Sequence, residues 1–196
     1  MEQATVLRRR QPGILSLTWP IFIELLLQML VGNADQVMVG HFDPNGVGAI
    51  GNANQITNLV LLVFSVISTA STILISRYLG AEDKRRVNET YTLSLLVNAI
   101  FGLAVGAILI ALCGPIFTLM QVPAEILERS CLYLRIIGGG MVFQAVYLTF
   151  TAFFRSNQMM KESMIVAVVM NLLNIGGNAV LIGGAFGLPA LGVAGA

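Results

Sequence analysis

Charge is what this sequence has least of. Only 11% of its 196 residues are Asp, Glu, Lys or Arg, while 56% are hydrophobic; soluble domains carry about 25% charged residues. That shortage rules out a solvated surface over most of the chain and marks an integral membrane protein. Histidine is nearly missing too. His41 is alone, and with two cysteines it makes no metal-ligand set, nor do a nucleophile and a base share an evident site, so neither a metal nor an enzyme activity is expected. A net charge of +1 offers no patch for nucleic acid or for an acidic partner. Strand patterning is absent as well, because the apolar runs are continuous where barrel strands would alternate.

What is present is five apolar runs, 14–39, 59–78, 92–117, 136–154 and 164–182, each able to supply the ~20 residues of a spanning helix. The expected fold class is all-α: a polytopic membrane helix bundle of five transmembrane helices, one domain over 1–196 with no linker or internal repeat. Arg8, Arg9, Arg10, Arg77, Lys84, Arg85, Arg86, Arg155 and Lys161 fall on one side of these spans. Only Arg129 and Arg135 fall on the other. The positive-inside rule therefore puts the N-terminus in the cytoplasm of a plasma membrane, a bacterial inner membrane. The first run is too long for a signal-peptide core and contains Glu24 and Asp35, so it is read as a retained helix.

Between the second and third runs, Gly80 is expected to end a helix as its C-cap, with Glu82 and Asp83 opening a short surface helix. The stretch 115–135, with Pro123, Glu125 and Glu128, reads either as an interfacial turn of helix or as a plain connector. Cys113 and Cys131 lie close enough to the same surface for a disulfide, though unpaired thiols are the favoured expectation. Gly102 and Gly106 form a G-x-x-x-G pair for close helix packing. Gly138, Gly139 and Gly140 open the fourth span and allow bending, and Pro20 removes a backbone hydrogen bond from the first. A bend there suits a gate.

Function enters with the polar residues inside these runs. Glu24, Gln28, Val31 and Asp35 fall at i, i+4, i+7 and i+11, on one helical face. An ionised carboxylate at the bilayer centre costs at least ~2.5 kcal/mol, so that face is expected to turn toward a bundle interior or wet cavity serving ion or proton traffic. Asn171, Asn174 and Asn178 form a second stripe in the fifth run. Counting helical rise places Asn178 in the same outer half as Asp35, where the two can face one cavity. Asn171 is read as helix glue; Asn174 and Asn178 are read equally as glue or as cavity lining. Gln144 and Asn98 either line a pore or bond a neighbour. Glu24, placed nearer mid-membrane on the cytoplasmic half, is either a second protonation site or a neutral, hydrogen-bonded acid. Asp35 ranks first among the candidates.

Several strings resemble the N-terminal half of the multidrug and toxic compound extrusion (MATE) transporters. They are Asp35-Gln36-Val37-Met38-Val39-Gly40-His41, Ile75-Ser76-Arg77-Tyr78-Leu79-Gly80-Ala81-Glu82-Asp83, and Phe154-Arg155-Ser156-Asn157-Gln158 with Lys161. To these add Asn174 to Asn178, and the stretch from Phe186 to Ala196. The resemblance implies a secondary active antiporter that exports cationic or amphipathic drugs and xenobiotics in exchange for Na⁺ or H⁺, with no other cofactor. It implies ion coupling at Asp35, Asn174 and Asn178, with Glu24, Gln28, Gln144 and Asn171 as secondary cavity residues and Pro20 as the gating bend. Several members carry an aspartate where this chain has Asn178, which leaves Asp35 the only strong acid at its level. The family has two six-helix lobes; helix six would begin at 190–196, so an incomplete first lobe is expected, needing a C-terminal lobe or another copy for transport. A non-transporting remnant or assembly subunit is the alternative. A lipid-linked oligosaccharide flippase ranks lower, because no basic residue lies inside the five runs.

Overall fold

The computed structural model describes residues 14–42 and 44–183, without the side chains of residues 14, 16, 17, 31, 32, 34, 35, 41, 42, 44, 45 and 183. These residues form five helices, α1 (Ile14–Phe42), α2 (Pro44–Gly80), α3 (Lys84–Leu119), α4 (Ala124–Ser156) and α5 (Met160–Gly183). No strand occurs among the described residues. The expected beginning of a sixth helix at 190–196 lies outside them. Four helices are long and apolar enough to cross a membrane, over Gly46–Gly80, Lys84–Leu119, Ala124–Ser156 and Met160–Ile182, and α1 contributes a shorter apolar stretch, Thr18–Leu30. The chain is a multi-pass membrane protein with the expected all-α fold.

The helices outrun the apolar segments that announced them. α2 has 37 residues and α3 has 36, so at 1.5 Å per residue each is ~55 Å long against a hydrocarbon core of ~30 Å. Their ends stand in polar surroundings, where hydropathy stops marking a helix but backbone hydrogen bonding continues. The stretch 115–135 is accordingly neither a connector nor an interfacial turn. α3 runs through Pro115 to Leu119, α4 starts at Ala124 after Pro123, and only residues 120–123 join them.

Three tight turns fold α2 to α5 into antiparallel neighbours, and all three close by one device. Glu82, Gln121 and Gln158 adopt left-handed φ of 57°, 58° and 61°. At the first, Glu82 N donates to Leu79 O and Asp83 N to Tyr78 O, both at 3.1 Å; the bonds Gln121 to Thr118, Val122 to Phe117, Gln158 to Arg155 and Met159 to Phe154 repeat it. This is the Schellman closure, which satisfies the last carbonyls of each helix. Gly80 is therefore not the cap expected of it. It is the last residue of α2, and Glu82 takes the left-handed position. Asp83 then caps α3, its Oδ1 accepting from the Arg86 N–H at 3.1 Å, so the acidic residue opens a spanning helix and not a short surface one.

α3 and α4 pack most closely. A Cβ on Gly102 would lie 2.9 Å from Ala145 Cβ and 3.1 Å from Val142 Cα, and one on Gly106 would strike the Gly138 carbonyl. The G-x-x-x-G pair thus has the packing role expected, and Gly138 meets it from the other side. Gly139 and Gly140 face open space. Asn98, fully buried, donates from Nδ2 to Thr149 Oγ1 at 2.7 Å, and Thr149 passes a bond to Ala145 O at 2.8 Å; Asn98 is a neighbour's partner, not a pore residue. Outward faces carry exposed Leu, Ile, Val and Phe, while Ser68, Ser94, Asn98, Thr149, Asn171 and Asn178 are buried. Polar inside and apolar outside is the order lipid imposes.

Candidate functional site

Glu24 is the most completely buried charged side chain described, 1% exposed. Arg155 Nη2, in the last turn of α4, donates to its Oε1 at 2.9 Å, and Ser163 Oγ, in the first turn of α5, donates to Oε2 at 3.0 Å. One carboxylate thus ties three helices. The Tyr147 phenol lies near the same group, with Thr151 and Gln28 beside it. Glu24 thus stands level with the α4–α5 turn. Its partner is the Arg155 guanidinium, 2.9 Å away. A pair taken out of water holds only when hydrogen bonds satisfy the remaining lone pairs, and Ser163 supplies one.

The direction of α1 follows from its two ends. Glu24 meets the end of α4 and the start of α5, whereas a Cβ on Gly40 would lie 3.1 Å from Val47 at the start of α2. One on Gly48 would lie 3.4 Å from Ile126 at the start of α4. α1 therefore runs parallel to α5, against which it packs, and antiparallel to α4. From Glu24 to Asp35 is eleven residues, and from Ser163 to Asn174 is eleven more, so both climbs reach one level ~16 Å away. Asp35 lies in α1, with its side chain outside the described residues. Asn178 Nδ2 donates to Asn174 Oδ1 at 3.3 Å, so these two amides form one pair on α5. Asn171 donates to Ala167 O of its own helix at 2.8 Å, a bond that serves neither of its neighbours. Gln144 is half-buried on α4, Gln28 is exposed, and Pro20 is buried within α1.

Sequence reasoning missed Arg155, Ser163, Tyr147 and Thr151. Arg155 directly follows an apolar run, so in the sequence it serves only to mark orientation; a long side chain lets its guanidinium reach Glu24. Cys113 and Cys131 are free thiols, the former buried and receiving a bond from Arg135 Nε at 3.1 Å. No group of three or more His, Cys, Asp or Glu fit to hold a metal occurs among the described residues.

A MatE family model matches residues 20–180 of this chain. The chain belongs to the MatE family. It is 40% identical over 183 residues to YisQ of Bacillus subtilis (strain 168), an uncharacterized transporter, covering 93% of this chain and 40% of that protein. Over 188 residues it is 31% identical to NorM of Thermotoga maritima, a probable multidrug resistance protein, covering 93% and 39%. PmpM of Pseudomonas aeruginosa, a multidrug resistance protein, is 30% identical over 186 residues, covering 95% and 39%. Crystal structures of MATE in the bent and straight conformations superpose with TM-scores of 0.85 and 0.83 at 22% identity, over 92% of this chain and 40% and 39% of theirs. The MatE fold and the resemblance read from the motifs stand together. This MatE chain spans about two fifths of the length of the curated relatives it matches.

Proposed function

We propose that this MatE chain serves a secondary active antiporter exporting cationic or amphipathic drugs and xenobiotics in exchange for Na⁺ or H⁺ by alternating access. The observation that carries the reading is a polar interior shared by α1, α4 and α5 inside an otherwise lipid-facing bundle, since buried polar groups in a membrane protein mark transport paths. The names of NorM and PmpM as multidrug resistance proteins support the substrate class. In this reading the N-terminus is cytoplasmic in a bacterial inner membrane. Asp35, Asn174 and Asn178 form the ion-coupling level, Glu24, Gln28, Gln144 and Asn171 line the approach, Pro20 gives α1 its bend, and a C-terminal lobe or another copy completes the transporter. A flippase would want free cations in its cavity, and Arg155, the cation α4 brings inward, is already paired with Glu24.

The test is efflux of a fluorescent cation from cells expressing the chain, alone and joined to a C-terminal lobe, with Na⁺ and pH varied separately. Efflux that follows either gradient and is lost in Asp35→Asn at unchanged membrane level supports the reading. Undiminished efflux in Asp35→Asn sinks the coupling site. Absence of efflux in every form supports a non-transporting subunit.

A further inference from the structure

On α4, Gln144, Tyr147, Thr151 and Arg155 recur at i, i+3, i+7 and i+11, which makes one stripe. Helical periodicity gives α1 a matching stripe in Glu24, Gln28, Val31 and Asp35. The helices are antiparallel and meet at Glu24 and Arg155. Eleven residues along α1 and eleven back along α4 therefore reach one level, that of Asp35 and Gln144. Among the described residues no Cα of α1 comes within 8 Å of a Cα of α4. The seam between them is spanned by side chains alone. Near its closed end those side chains are Gln28, Tyr147 and Thr151, then Glu24, Arg155 and Ser163.

We propose that this seam is a proton path running from the level of Asp35 to the α4–α5 turn, with the hydroxyls of Tyr147, Thr151 and Ser163 as its relay. The proposal rests on the antiport reading above and narrows its coupling ion to H⁺. Each hydroxyl is both donor and acceptor, so it takes one proton and releases another with no net change. The acid at the start becomes a carboxylate, and one proton appears in water at the turn. Amides at Gln144 and Gln28 and intervening waters bridge the steps of about one helical turn. Glu24 does not carry the proton onward by itself. It offsets the Arg155 charge, which would otherwise repel any cation at the exit. A sodium ion lodged beside Glu24 would still meet that guanidinium, whereas a proton handed between hydroxyls never resides there as a separate cation.

The test uses the form of the protein that passes the efflux assay, reconstituted in vesicles enclosing a pH-sensitive dye, with a fluorescent cation added to start exchange. Tyr147→Phe and Thr151→Val are expected to slow cation-driven proton movement about tenfold, the scale of one lost hydrogen bond, with helicity by circular dichroism unchanged. Thr151→Ser, which keeps the hydroxyl, is expected to retain the wild-type rate, a distinction that a merely structural Thr151 would not make. Wild-type exchange with both variants at full rate overturns the relay alone, as does exchange driven by a Na⁺ gradient at constant pH. If the wild-type protein exchanges nothing, the antiport reading fails and the relay with it.

Discussion

α4 has two faces that solve the same problem in opposite ways. Toward α3 it presents Gly138, Met141, Ala145 and Thr149, and the backbones approach until no Cβ fits at Gly102 or Gly106. Toward α1 it presents Gln144, Tyr147, Thr151 and Arg155, and the backbones stay more than 8 Å apart. Lipid tails are as apolar as leucine, so helices in a bilayer associate by close van der Waals packing or by polar ties. One face uses the first means and the other the second. The packed face is held by backbone approach; the tied face is held by a few polar groups.

Removing the tie tests the open face and has the largest expected effect. Arg155→Met leaves Glu24 charged, buried and without its cation, and is expected to destabilise by ~3–5 kcal/mol. Glu24→Gln leaves Arg155, whose side chain is 34% exposed, with water still in reach, so a loss of only ~1–3 kcal/mol is expected. Unfolding in detergent, followed by circular dichroism, measures both. Equal losses would show that the pair is held at the rim and not in the interior, and the contrast between the faces would weaken.

On the packed face, Gly106→Ala drives a methyl into the Gly138 carbonyl, and an overpacked position of this kind costs ~1–3 kcal/mol. Gly139→Ala, one residue on but facing open space, is expected to be neutral or to stabilise by up to ~1 kcal/mol through helix propensity. The same unfolding measurement compares them. A harmless Gly106→Ala would mean that α3 and α4 slide apart freely and that the rigid face is not rigid. The buried polar tie within this face, Asn98 to Thr149, is smaller: a double-mutant cycle with Asn98→Ala and Thr149→Val is expected to give ~0.6 kcal/mol of coupling, at most ~1.7.

The two faces were unequally legible. Gly102 and Gly106 announce close packing because spacing within one helix is written in the sequence, and the α1 stripe from Glu24 to Asp35 was visible for the same reason. The tie was not, because Glu24 and Arg155 are 131 residues apart and no period links them; pairing across helices is decided by which ends meet. Apolar runs located all five helices yet missed their ends, since residues 44–58 begin α2 and residues 124–135 begin α4 outside the continuous apolar runs. Gly80 misled because glycine is the usual left-handed residue, while the hydrogen bonds put that position two residues later. Arg155 misled because its charge, useful for orientation, gave no sign that its guanidinium pairs with Glu24.

The turns at either end of α4 give the smallest and sharpest comparison. Gln121 closes the α3–α4 turn beside the packed face, and Gln158 closes the α4–α5 turn beside the open one, both in the same left-handed conformation. That conformation costs a residue with a Cβ ~1–2 kcal/mol, which glycine escapes while losing more chain entropy on folding. Gln121→Gly and Gln158→Gly are therefore each expected to stabilise by a few tenths of a kcal/mol to ~1 kcal/mol. Since the strain is local, the two gains should match in thermal unfolding even though the faces they adjoin differ. A gain at Gln121 with a loss at Gln158 would locate a further function for that turn: holding the end of α4 where Arg155 reaches Glu24, so that a looser turn loosens the tie.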